Sequence, residues 1–83
     1  MKVRIKLYAL LGQYLPAGAE KNEAEMEVAD GMTPAALIAR LGLPQEHCHL
    51  VLLNGIYLAP SERDANHMQE NDTLAIWPPV AGG

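Results

Sequence analysis

The chain contains no phenylalanine, and its aromatic residues are Tyr8, Tyr14, Tyr57 and Trp77. Its core must therefore be aliphatic. Cysteine is equally scarce, with Cys48 alone. That excludes an internal disulfide framework and an iron–sulfur cluster held by four cysteines, and it fits a reducing, cytoplasmic setting. Basic residues are outnumbered: 6 Lys and Arg against 10 Asp and Glu leave a net charge of −4. A nucleic-acid partner is not expected from that balance. No apolar run approaches the roughly 18 residues of a spanning helix, and the first residues lack the apolar core of a signal peptide, so no membrane association is expected. There is no Gly-rich phosphate loop, and no bound cofactor is expected.

What is present describes one small globular domain. The chain has 83 residues and a mass of 9.0 kDa, with 49% apolar and 19% charged residues. Surface scaling predicts a folded area of about 4,900 Å², with about 60% of the unfolded surface buried. That supports one modest core and leaves little room for an elaborate catalytic pocket.

Hydrophobic periodicity lays out the elements. From Lys2 to Tyr8, the residues Val3, Ile5 and Leu7 alternate with Lys2, Arg4, Lys6 and Tyr8, the pattern of a half-buried strand. From Glu23 to Val28, the residues Ala24, Met26 and Val28 alternate with Glu23, Glu25 and Glu27. The basic outer face of the first strand can oppose the acidic face of the second, which predicts an antiparallel pair. In the long connection, Leu10, Leu11, Tyr14 and Leu15 predict a short helical turn ended by Pro16. A helix follows, with Thr33 as N-cap, Pro34 at the first position, Met32 and Leu37 as a hydrophobic staple, and Gly42 as terminator before Pro44. Leu50 to Leu53 is continuously aliphatic, as in a central strand covered on both faces. Asn54-Gly55 then predicts a tight turn into Ile56-Tyr57-Leu58. Thr73 to Trp77 makes a last strand, with Leu74 and Ile76 inward and Thr73, Ala75 and Trp77 outward. The order β-β-α-β-β-β with one helix predicts an α+β roll, a mixed sheet packed on one main helix.

The ending carries the chemical signal. From Leu74 to Gly83 no side chain is ionisable, so the only charge is the α-carboxylate of Gly83. Pro78 and Pro79 favour an extended stalk. Gly82 and Gly83 remove side-chain bulk where backbone must approach a partner closely. Four residues beyond Pro79 reach roughly 13 Å when extended. The pattern describes a carboxylate on a narrow, uncharged arm able to enter a partner's tunnel. The plainer reading is a frayed, Gly-rich end.

Four segments resemble the small sulfur carriers of the MoaD/ThiS family, which share the ubiquitin-like β-grasp fold. They are Val3 to Leu11, Gly31 to Leu37, Leu50 to Gly55, and above all Asn71-Asp72-Thr73-Leu74-Ala75-Ile76-Trp77-Pro78-Pro79-Val80-Ala81-Gly82-Gly83. The last is similar to a family ending of the form G-D-x-hydrophobic-x-hydrophobic-x-P-P-V-x-G-G. Asn71 stands where Gly is usual, and Trp77 where Phe or Leu is usual. The resemblance implies a β-grasp domain over residues 1–77 and an arm over 78–83. It implies that an E1-like adenylating enzyme, using ATP, activates the Gly83 carboxylate and that sulfur then replaces AMP to give a thiocarboxylate. Gly82 would supply clearance, and Trp77, Pro78, Pro79, Val80 and Ala81 would contact partners. The chain would then be a protein cosubstrate and not itself an enzyme. Its acceptor would be an enzyme such as the large subunit of molybdopterin synthase. Thiamine-type thiazole synthesis, ubiquitin-like conjugation through Gly83, and a non-catalytic interaction module are the alternatives.

Other candidates weigh less. His47-Cys48-His49 looks like a metal cluster, but in an extended segment the two histidines share a side and Cys48 faces away. Ser61, Asp64 and His67 contain triad residue types without triad spacing. Glu20, Glu23, Glu25 and Glu27 read as a solvated face, and Met26, Met32 and Met68 as core or staple filler.

Overall fold

The structure is a computed structural model describing residues 1–79. Five strands form one mixed sheet: β1 (Lys2–Leu7), β2 (Glu23–Glu27), β3 (Leu50–Leu53), β4 (Ile56–Tyr57) and β5 (Thr73–Trp77). Their spatial order is β2-β1-β5-β3-β4. β5 lies parallel to β1 and antiparallel to β3. One helix, α1 (Pro34–Leu41), covers the inner face. The accessible surface is 5017 Å², close to the scaling value.

β1 and β2 pair as their charges predict, with Lys2 opposite Glu27, Arg4 opposite Glu25 and Lys6 opposite Glu23. Arg4 bridges two acidic residues, at 2.7 Å to Glu23 and 3.3 Å to Glu25. A 3₁₀ turn at Ala9–Tyr14 fills the connection and ends at extended Leu15, before Pro16. It drops Leu11 into the core.

The helix starts and stops where its sequence dictates. Thr33 is extended, and its hydroxyl accepts from the Ala36 amide at 3.1 Å. Gly42 is left-handed at φ 79°, and its amide returns to the Ala39 carbonyl. At eight residues α1 is too short to persist in isolation. Its stability comes from burying Leu37 and Ile38 against Val3, Ile5, Leu7, Val51, Leu74 and Ile76. Each such aliphatic side chain contributes about 1.5–3 kcal/mol.

Asn54 (φ 52°) and Gly55 (φ 83°) both adopt the left-handed conformation that a tight two-residue hairpin requires. Asn54 also pins the start of β5. Its side-chain amide donates to Asp72 at 2.9 Å, and its side-chain carbonyl accepts from the Thr73 amide at 2.9 Å. Asn71 is left-handed at φ 69°, as its place in the motif requires.

Two expectations are corrected. The central strand is β5 and not the aliphatic run of β3. β3 has only β4 between it and the edge, and within it Val51 alone is buried, while Leu50 is 36% exposed. The second correction concerns Ala75, which points outward in the pleat yet is only 8% exposed. It sits between Lys6 of β1 and Leu52 of β3, whose longer side chains flank its methyl group.

Candidate functional site

The face of the sheet opposite α1 carries no covering element among the described residues. β5 lies at its middle, and cross-strand register assembles the patch around it. Trp77 faces Leu50, and Ala75 lies between Leu52 and Lys6. Tyr8, one residue past β1, donates its amide to the Ile76 carbonyl at 3.1 Å, which brings its ring beside Trp77. The two rings stack with centroids 4.1 Å apart and planes 4° from parallel. Trp77 is half-buried.

The result is an apolar surface of Tyr8, Trp77, Leu50 and Leu52 around a buried alanine. Its charged border is asymmetric. Arg4 is spent on Glu23 and Glu25. Lys6 forms no ion pair among the described residues, so positive charge remains at the patch edge. An apolar centre with a polar rim and an aromatic anchor has the composition of a protein interface.

Pro78 and Pro79 continue the chain directly from this surface. β5 ends at Trp77, and the Trp77 carbonyl accepts from the His49 amide at 3.0 Å. Pro78 is half-buried and Pro79 exposed. Both line a shallow groove of about 330 Å³ with Leu10, Leu11, Tyr14 and His47. Leu10 is 81% exposed. It follows Ala9, whose φ of 52° is unusual for a residue with a Cβ and costs about 1 kcal/mol. Val80, Ala81, Gly82 and Gly83 lie outside the described residues.

The other sequence candidates are dispersed. Pro44 opens a 3₁₀ turn at Gln45–His47, so the histidine segment is not uniformly extended as expected. His47 lines the groove at the arm's root, while His49 lines a different cleft beside α1. Cys48 is buried between them, with its thiol 3.5 Å from the Pro44 carbonyl. Burial pushes that thiol's pKa up, against a partial pull downward from Arg63 and with a smaller upward push from Glu46. Among the described residues, no group of three or more His, Cys, Asp or Glu could hold a metal ion. His67 places Nδ1 2.6 Å from the Gly31 carbonyl, and no hydrogen bond joins it to Ser61 or Asp64 among the described residues. Met68 is fully buried, and Met26 and Met32 pack partly buried against the core. No helix of the described residues is long and apolar enough to cross a membrane.

Sequence reasoning missed Leu50, Leu52 and Leu10 as surface residues. An aliphatic run reads as core until strand order is known. In sequence, Leu10 reads only as a member of the helical turn.

Comparison with solved structures places the fold. SAMP1 from Haloferax volcanii matches with a TM-score of 0.67 and 24% identity, over 100% of both chains. The HVO 2177 protein of the same organism matches with a TM-score of 0.76 and 22% identity, over 100% of this chain and 87% of that one. A chain in the complex of subunits 1 and 2 of molybdopterin-converting factor from Helicobacter pylori matches with a TM-score of 0.61 and 16% identity, over 100% of both chains. The shared architecture is the β-grasp roll. A comparison with curated proteins finds no significant match. A model of the ThiS family matches residues 10–83, which include both the open-face strand β5 and the Gly-Gly ending. The chain belongs to the ThiS family.

Proposed function

We propose that this chain is a sulfur carrier whose reactive group is the C-terminal carboxylate of Gly83. The observation that carries this reading is that the family match runs through residue 83, so the uncharged ending is part of the likeness. A carboxylate is a poor acyl donor because its oxygens are poor leaving groups. In the proposed sequence, the Gly83 carboxylate oxygen attacks the α-phosphorus of ATP on an E1-like enzyme and releases pyrophosphate. Hydrosulfide-level sulfur then attacks the acyl carbon, forming the C–S bond, expelling AMP and losing its proton to leave a thiocarboxylate. Sulfur delivered as a donor's persulfide gives an acyl disulfide, which a thiol reductant cleaves to the same product. ATP and the catalytic groups belong to the partner, and this chain supplies the grip and the reacting end. It acts as a protein cosubstrate.

The apolar face around Trp77 supports the docking half of the reading. It is continuous with the root of the arm, so an enzyme gripping Tyr8, Trp77, Leu50 and Leu52 is positioned to receive residues 78–83. Glycine at 82 and 83 suits a narrow entry. The acceptor we favour is an enzyme of molybdopterin synthesis, in line with the Pro-Pro-Val ending and with the fold shared with a molybdopterin-converting factor complex.

Intact mass spectrometry after co-expression with the native activating enzyme and a sulfur donor tests the proposal. The expected shift is that of sulfur replacing one oxygen at the C-terminus. An unchanged mass under those conditions overturns it. A second reading, a ubiquitin-like modifier joined through Gly83 to lysines, draws on the likeness to SAMP1, which is named a small archaeal modifier protein. Isopeptide-linked species of higher mass in cell extracts would favour it.

A further inference from the structure

A second concave site lies beside α1. It is a cleft of about 430 Å³ between the start of α1, the segment entering β3, and the turn after β4. That volume is in the range of small-molecule sites. Its apolar lining comes from Ala35, Ile38, Cys48 and Pro60, with Tyr57, the cross-strand partner of Leu52, at its margin.

The distinctive group is Arg63, which is half-buried in the cleft. Its Nε donates to the Leu58 carbonyl at 3.3 Å, and its Nη1 donates to the Cys48 carbonyl at 3.0 Å. The Arg63 carbonyl in turn accepts the Ala35 amide of α1 at 2.8 Å. Both the side chain and the backbone are thus held in place. A guanidinium has five N–H donors, and these contacts use two. Arg63 forms no ion pair among the described residues. A fixed guanidinium with unused donors, set in a partly apolar cleft, is preorganised for a carboxylate.

Glu46 supplies the counterweight. It lines the same cleft, is exposed, and forms no ion pair among the described residues. Its negative charge opposes a dianion such as a phosphate and favours a ligand that also offers an N–H donor. We propose that this cleft binds an amino-acid-like monocarboxylate, with its carboxylate on Arg63, its N–H toward Glu46 and its apolar body against Ile38 and Tyr57. This site does not depend on the chain's being a sulfur carrier.

The test is a titration of the isotope-labelled full chain with N-acetyl-L-phenylalanine, followed by amide NMR. The expected result is saturable shifts at Ala35, Ile38, Cys48, His49 and Arg63. The uncharged methyl ester should bind about tenfold more weakly, as should the acid to Arg63→Lys, which keeps the charge and loses the planar fork. Because Arg63 also ties backbone segments together, Tyr57→Ala serves as a second variant at an exposed position, with weakening of several-fold expected. 3-Phenylpropionate, which lacks the N–H, should bind several-fold more weakly to the unaltered chain and gain affinity on Glu46→Gln, which removes a repelling charge. Absence of saturable shifts at tens of millimolar overturns the proposal. So do equal affinities for acid and ester, or shifts confined to Tyr8, Lys6 and Trp77.

Discussion

Tyr8 and Trp77 stack face to face with ring centroids 4.1 Å apart, joining the end of β1 to the last residue before the arm. Offset or parallel aromatic pairs contribute about 0.5–1.5 kcal/mol beyond their buried area. A double-mutant cycle of Tyr8→Ala and Trp77→Ala, read by urea denaturation, should return a coupling in that range. Trp77→Ala should also abolish most binding to an activating enzyme, while the single substitution leaves a cooperative unfolding transition. Unimpaired binding would remove Trp77 from the interface.

Leu37 is fully buried beneath the sheet. Leu37→Ala should cost about 2–5 kcal/mol, from lost transfer energy plus the cavity left behind. Thr33→Ala removes only the N-cap bond to Ala36 and should cost about 1 kcal/mol. Denaturant midpoints at constant slope would check both.

The lattice of carboxylates around Arg4 is solvent-facing. Arg4→Ala should cost no more than about 1 kcal/mol, and the loss should shrink as salt is added. A loss that persists in high salt would mean that packing of the arginine stem, and not charge, is what matters.

Two groups set an alkaline limit. The Met1 ammonium has a raised pKa, chiefly from its hydrogen bond to Asp30 against an opposing cost of desolvation, with Glu27 and Glu70 adding attraction. The Cys48 thiol is raised by burial. In both cases the folded state holds the proton more tightly than the unfolded state. Their contribution is therefore complete below the unfolded pKa and is lost as pH rises through the folded one. Stability should fall on the alkaline side, beginning near the ordinary values of an α-amino group and then of a thiol. Asp30→Asn should flatten the first part of that fall, and Cys48→Ala the second. Alkylation of Cys48 by iodoacetamide should be slow in the native protein and fast in denaturant.

The elements whose signals are local were legible from residues alone. The Thr33–Pro34 start and Gly42 stop of α1, the Asn54-Gly55 turn, and the charge-matched pairing of β1 with β2 all depend on neighbours in sequence or on one simple complementarity. Strand order is different, because it depends on which non-local pairing buries most. Nothing in Leu50–Leu53 distinguishes a strand covered on both faces from one whose outer leucines meet a partner. The same ambiguity hid the share of Leu50 and Leu52 in the open apolar face, whose Tyr8 and Trp77 the alternation places outward. Ala75 failed in the opposite direction: its pleat parity was right, but its burial was decided by Lys6 and Leu52 on either side.

The parallel pairing of β1 with β5 has a mechanical consequence. The two strands run side by side in the same direction, so tension between the N-terminus and the arm pulls them along their lengths in opposite senses. The hydrogen bonds at Tyr8–Ile76 and Arg4–Asp72, with the ladder between them, are then loaded together in shear. They do not open one at a time like a zip. A pull on the C-terminal end against a held N-terminus therefore meets the resistance of the whole central ladder at once.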